Sequence, residues 1–297
     1  MYDHYLHTDL ALEAKEALTH TPEHASGIKV WEQHYPTPPL TITHVEILTK
    51  NAAQKIGKPR GTYLTLESPA LASSDKKERQ ALSGFLARSL TDMLPIRENP
   101  KAPPTILVVG LGNRTVTPDS LGPLVVDQLS ISRHLYREYG QSVFQTPIPY
   151  LLSAVVPGVM AQTGMETLEI IKGIVAVTKP DLCLVIDALA SRSIKRLNRT
   201  IQLSDTGIHP GSGVGNHRHG ITKETLGIPV LSLGVPTVVD AATIVTDSLA
   251  GDSLCSHRLS PALKSMFVAA KDTDETILRL STLLSDAINL VFSPKPE

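Results

Sequence analysis

The sequence predicts an α/β fold, a mainly parallel twisted sheet flanked by helices, with a β-rich segment added at its N-terminal end. Three observations predict it. From residue 105 the short apolar runs TILVVG, PYLLSAVV, LCLVID and PVLSLG alternate with helical stretches; such runs suit parallel strands buried on both faces, and the alternation implies one sheet with right-handed crossovers. Ahead of them lie β-branched runs with turn residues between. The chain of 297 residues, 41% hydrophobic and 19% charged, is ordinary for a globular protein and long enough to bury a sizeable core.

Taken in order, residues 1–27 are polar, contain four histidines and show weak periodicity, which reads as a loosely held arm with a short helical stretch at LALEAKEAL. IKVWEQ, LTITHVEIL and GTYLTLES read as strands, and PTPP forces a loop between the first two. Residues 75–94 form an amphipathic helix, because Leu82, Phe85, Leu86, Leu90 and Met93 recur at three- and four-residue steps. ENPKAPP is a linker. After VVPG, a capping box of Thr163 and Glu166 predicts a helix starting at Thr163, running through Ile170, Ile171 and Ile174 and ending before Pro180. The last helix, about 272–291, buries Ile277, Leu280, Leu284, Ile288 and Val291.

Bulk properties exclude several functions. A net charge of −1 gives no field to steer the chain to nucleic acid, and 4% aromatics leaves little for a base-stacking surface. Cys183 and Cys255 form no CxxC pair, so no disulfide framework is expected and a reducing compartment fits. The N-terminus lacks the basic and apolar regions of a signal peptide. No apolar run approaches the ~18 residues of a membrane span.

The stretch VVGLGNRTVTPDSLGP raises the central question. Gly110 and Gly112 begin a dinucleotide fingerprint, but Thr115 stands where its third glycine belongs, and no lysine completes a P-loop. The glycines therefore read as a tight turn off a strand. What the turn delivers is Asp119, which is either the cap of the helix opening at SLGPLVVDQL or a presented carboxylate. Asp187 closes the apolar run LCLVID and is likewise either a turn former or a presented group. Both fall just past the carboxyl end of a predicted parallel strand, where open α/β sheets place their working groups. Paired carboxylates can share a proton, one acting as base toward water and the other as acid; with a histidine they can equally hold a metal.

The glycine-rich stretch SDTGIHPGSGVGNHRHG predicts a long irregular loop whose N–H groups could bind an anion. His209 is its best site-lining candidate, whereas the H-x-H of His217 and His219 fits a solvated role better. Ser212 lacks the strand–turn–helix setting of a nucleophile elbow, neither cysteine has an activating environment, and there is no H-E-x-x-H. Arg192, Lys195, Arg196 and Arg199 read as a solvated helix face, with gripping an acidic segment of a polypeptide substrate as the second reading.

In this order, TDLALEAKE, YLTLES, VVGLGNRTVTPDSLGP, RHL, VVPGVMAQTGMET, PDLCLVIDALASRS, IQLSDTGIHPGSGVGN, ETLGIPV, GVPTVVDAATI and LSDAINLVF resemble the germination protease family of endospore-forming bacteria, the spore proteases. The resemblance covers nearly the whole chain. It implies a core related to the hydrogenase-maturation endopeptidases and an endopeptidase that degrades small acid-soluble spore proteins early in germination. It further implies an inactive, self-processing zymogen and a homotetramer located in the spore core of the cytoplasm, with no direct nucleic-acid or membrane partner. The family's two essential aspartates fall on Asp119 and Asp187; Asn113 and His209 stand as supporting candidates. The self-cleavage motif maps to the Asp9–Leu10 bond, making residues 1–9 the propeptide and 10–297 one peptidase domain, with 10–100 its N-terminal strand and helix portion and 105–297 its core. No cofactor is implied. Family members carry a longer segment where only about residues 251–270 stand here. A metal-dependent peptidase using the same aspartates with His209, and a non-enzymatic binding module, are the rival readings.

Overall fold

The computed structural model describes residues 8–17, 26–97, 99, 102–211, 218–248, 260–264 and 266–293. Ser212, His217, Cys255 and the whole of residues 1–7 and 251–259 raised above thus lie outside the described residues.

Helix α1 (Ala11–Glu16) comes first, followed by β1 (Ile28–Pro36), β2 (Pro39–Ile47), α2 (Lys50–Ile56), β3 (Gly61–Glu67) and α3 (Lys76–Met93). The second part contains β4 (Thr105–Gly110), α4 (Leu121–Val126), α5 (Arg133–Tyr139), β5 (Leu151–Val155), α6 (Met160–Thr163), α7 (Thr167–Thr178), β6 (Leu182–Ser191) and β7 (Thr200–Ser204). It closes with α8 (Lys223–Leu226), β8 (Val230–Asp240), α9 (Ala241–Ser248), α10 (Pro261–Lys264), β9 (Phe267–Val268) and α11 (Thr273–Phe292).

The described strands form one sheet in the order β1-β2-β3-β7-β8-β6-β4-β5, with β9 pairing the end of β8. The sheet is mixed, which corrects the expectation of a mainly parallel one. The four strands β5, β4, β6 and β8 run parallel. The pairings β1–β2, β2–β3, β3–β7, β7–β8 and β8–β9 are antiparallel. The reason is β7: TIQLS alternates polar and apolar residues but is only five residues long, and it joins the N-terminal strands edge-on to the parallel core.

Strand alternation sorts the core into two layers. Ile106 and Val108 of β4 and Leu182, Leu184 and Ile186 of β6 pack with α3, α4 and α11. Leu107, Val109, Cys183 and Val185 pack on the other face with Leu168, Ile171 and Val175 of α7. The predicted long helices are present because their caps and apolar stripes agree. Asp75 caps α3 by accepting from Lys77 N at 2.7 Å, and Ile277, Leu280, Leu284 and Ile288 of α11 are fully buried at three- and four-residue steps. The two helices pack closely enough for Ser83 Oγ to donate to Leu283 O at 3.1 Å. Cys183 is buried and free, and burial pushes its thiol up to about 12.

Three further expectations change. The helix expected from Thr163 starts at Thr167, because the capping box that forms is Glu166 with Glu169; Thr163 ends α6 and its hydroxyl accepts from Met165 N at 3.2 Å. The arm is not loosely held where it is described: Leu10 and Ala11 are fully buried and α1 packs against β2 and α2. The basic stretch after Asp187 is the end of β6 and a 3-10 turn, Ile194–Arg196, not a solvated helix face.

Truncating Leu284→Ala in the centre of α11 is expected to destabilise the protein by about 2–5 kcal/mol. Leu290→Ala, on the solvent side of the same helix and 56% exposed, should stay within about 0.5 kcal/mol of wild type. Denaturant melts of the two variants check the layer assignment.

Candidate active site

Strand β4 stops at Gly110, opposite Ile186 of β6, while β6 continues through Ser191. Leu111 N still donates to Ile186 O at 2.8 Å. Beyond that point the chain swings away and leaves a notch beside the second half of β6. Asp187 stands at the start of this notch. It therefore lies inside its strand, paired with Gly234 of β8, and not past the strand's end as expected; the end that matters is that of β4. By alternation it shares the face of Cys183 and Val185, and it is only 7% exposed.

The loop from Gly112 to Asp119 is packed under this notch by contacts that only glycines allow. A Cβ on Gly110 would come within 2.4 Å of Gly122 O, and one on Gly122 within 2.8 Å of Ile186 O, so β4, α4 and β6 meet backbone to backbone. Gly112 has φ +113, and a Cβ there would overlap Asp119 O at 1.9 Å. Asp119 ends the 3-10 turn Thr117–Asp119. Its carboxylate does not cap α4, whose N-cap is Ser120 without a side-chain bond; it accepts instead from Asn113 N at 2.9 Å, while Asp119 O accepts from the same N–H at 3.1 Å. Asn113 thus supports Asp119 through its backbone. Its side-chain oxygen is used by Thr115 and by Gln162 Nε2 at 3.1 Å. Thr237, an extra residue in β8 where its register with β6 shifts, donates to Pro118 O at 2.7 Å and holds the turn from the far side.

The two aspartates are electrostatically coupled. Burial raises the pKa of Asp119, opposed by the Asn113 N–H and by the charge of Arg218. Asp187 is held well above the usual carboxylate range, first by burial, then by the charges of Asp119 and Asp9; the Ala188 N–H and Arg218 oppose this. The stronger shift makes Asp187 the group that keeps a proton and Asp119 the one that ionises first.

Asp9 enters the same notch. Its N–H donates to Ala190 O at 2.9 Å and its carboxylate accepts from Ala190 N at 2.9 Å, so residue 9 takes the β6 edge that β4 has vacated. The segment is clamped behind. Glu13, 4% exposed, accepts from Arg192 N at 2.7 Å, from Ser193 N at 2.9 Å and from the Thr8 hydroxyl. Arg196 bridges Glu13, Glu16 and Glu67, with both guanidinium Nη atoms on Glu16 at 2.7 Å. Arg196 of the basic stretch is thus engaged by acidic residues of the chain's own α1 and β3.

His209 stands apart from the aspartate pair. It is exposed at the rim of a cavity of about 520 Å³ shared with Thr8, Asp9, Lys58, Gln202 and Gly234. Its ring fills the space a Cβ on Gly220 would need. Partial burial and the Lys58 ammonium hold its pKa below the ordinary value. Among the described residues, no three His, Cys, Asp or Glu side chains gather as a metal site would require. Among those residues, no helix is long and apolar enough to cross a membrane. Sequence reasoning missed Arg218, Thr237, Lys58 and Gln202. Arg218 stands between the two histidines that drew attention instead; the other three carry no local motif.

A raised folded-state pKa means that the native chain binds the proton more tightly than the unfolded one. Asp187 therefore supports the fold below the ordinary carboxylate range and withdraws that support as pH climbs toward its raised value. Asp187→Asn, neutral at every pH, is expected to melt higher than wild type at pH 7. The difference should shrink as pH falls toward ~4. Thermal melts across this range measure it.

The germination protease profile matches residues 7–258. Germination protease of Caldanaerobacter subterraneus subsp. tengcongensis is 39% identical over 97% of this chain and 94% of its own length. That of a Geobacillus species is 48% identical over 84% of this chain and 67% of its own, and that of Clostridium perfringens 38% identical over 97% and 95%. With its fold, its aspartate pair and this coverage, the chain belongs to the germination protease family.

Proposed function

We propose that this peptidase degrades small acid-soluble spore proteins in the spore core during germination, is made as a self-processing zymogen, and uses Asp119 and Asp187 to activate water. The carrying observation is the placement of Asp9: its main chain is bonded to Ala190 of β6, and its charge is felt at Asp187, only three residues earlier on the same strand. The Asp9–Leu10 bond thus lies beside the coupled carboxylates, as a bond awaiting its own cleavage would. Asp9 occupies the Ala190 position of the β6 edge, where a substrate strand would otherwise pair, which supports a zymogen whose propeptide is residues 1–9. The homotetramer rests on the family resemblance.

In the reaction, ionised Asp119 takes a proton from water as the oxygen attacks the peptide carbonyl carbon. Protonated Asp187 delivers its proton to the leaving nitrogen. The asymmetry of their environments supports this division: Asp119 has the Asn113 N–H to stabilise its negative form, whereas Asp187 has two neighbouring negative charges against its ionisation. Each general acid or base contributes typically ~10²–10⁴-fold.

Asp119→Asn and Asp187→Asn are each expected to fold yet lose residues 1–9 slower than wild type by that factor of ~10²–10⁴. Intact mass over time reads the loss, and discrete fragments of an added acid-soluble spore protein read the activity. A variant that processes at the wild-type rate removes that aspartate from the mechanism. Exhaustive chelation should leave wild-type processing unchanged; inhibition reversed by a divalent metal would move the assignment to the metal-dependent reading.

A further inference from the structure

The carbonyl oxygen of Asp9 accepts two side-chain hydrogen bonds, from Lys58 Nζ at 3.0 Å and from Gln202 Nε2 at 3.2 Å. Both donors are fixed. Gln202 projects from β7, which is paired on both sides, with Thr65 and Gly234 opposite this residue. Its other end is tied too, because Oε1 accepts from Ala11 N at 2.7 Å. Lys58 follows α2 directly after Gly57, whose left-handed backbone ends the helix, and it also donates to Thr8 O at 3.2 Å.

The ammonium is the revealing part. Lys58 is held below its ordinary pKa by burial, with the charges of Asp9 and Glu13 acting in the opposite sense. Taking an ammonium out of water carries a penalty of several kcal/mol. A neutral peptide carbonyl returns little of it, and water would satisfy that oxygen as well. The charges of Asp9 and Glu13 offset part of that penalty, and the two hydrogen bonds to the carbonyl oxygen strengthen when that oxygen bears a negative charge. We infer that Lys58 and Gln202 are catalytic oxyanion donors for cleavage of the Asp9–Leu10 bond. This rests on the self-processing reading above and adds two residues to it.

The atoms balance. Water oxygen bonds to the Asp9 carbonyl carbon, one water proton passes to the ionised aspartate, and the carbonyl π pair moves onto the oxygen facing Lys58 and Gln202. The carbonyl then re-forms, the carbon–nitrogen bond breaks, and the Leu10 nitrogen takes the proton of the other aspartate. One water is consumed, a carboxyl forms at Asp9 and an amine at Leu10, and the two aspartates have exchanged protonation states.

The test uses the full chain as wild type, Lys58→Met, Lys58→Arg, Gln202→Met and Asp119→Asn, with loss of residues 1–9 followed by intact mass and folding checked by thermal melting. Lys58→Met and Gln202→Met are each expected to process ~10²–10³-fold slower than wild type, the loss typical of one oxyanion donor. Lys58→Arg, which restores a cationic donor, should recover at least about tenfold over Lys58→Met. A folded Lys58→Met or Gln202→Met within about threefold of wild type overturns the inference, as does Lys58→Arg no faster than Lys58→Met. Should Lys58→Met not fold, Gln202→Met decides by the same threshold. If Asp119→Asn is blocked while both methionine variants process normally, only this inference fails; if Asp119→Asn processes normally, the aspartate reading fails first.

Discussion

The whole site depends on a difference in strand length. Strand β4 ends at Gly110 and β6 runs on to Ser191, so the backbone of β6 beyond Ile186 needs new partners on one side. Buried backbone groups do not stay unpaired. Leu111 takes the first position, and Asp9 takes Ala190. The loop carrying Asp119 fits beneath because Gly110, Gly112 and Gly122 have no side chains to keep the backbones apart. Hydrogen-bond demand on one strand edge thus brings Asp9 where its charge, with that of Asp119, acts on Asp187.

That gathering is unfavourable electrostatically, and the surroundings offset it in identifiable ways. Burial and like charge push a proton onto Asp187, which removes one of the negative charges. Arg218 favours ionisation of both Asp119 and Asp187. Lys58 answers the charges of Asp9 and Glu13. The result is an unequal pair in which Asp187 holds its proton more tightly than Asp119, carried by a fold whose apolar layers lie on either side of the parallel strands.

The N-terminal segment is an integral part of this balance. Glu13 is buried against main-chain N–H groups of Arg192 and Ser193, and Arg196 ties α1 to β3 through Glu67. A partly buried ion cluster of this kind contributes little net stability but restricts geometry. Here it fixes the register of the N-terminal segment: moving α1 by one residue would strand Glu13 away from its donors. The strands β1 to β3 and β7 serve the same end, since β7 carries Gln202 and the α2–β3 connection carries Lys58.

The sequence by itself determined the elements whose signal is local. Apolar runs gave β4, β5 and β6 and most of β8, helical periodicity gave α3 and α11, and strand ends drew attention to Asp119 and Asp187, each as either a cap or turn residue or a presented carboxylate. Each depends on neighbours within a few residues along the chain, where periodicity and capping act. Tertiary structure decided the rest. It made the sheet mixed through β7, placed Asp187 inside its strand but beyond its neighbour's end, showed that Ser120 and not Asp119 begins α4, and buried Leu10 to Ala14 of the arm that polarity marked as loose. It also brought Lys58 and Gln202 to one carbonyl across 49 and 193 residues of sequence. No short-range pattern encodes such a meeting, because the partners are chosen by which strand edges remain unpaired once the sheet has formed.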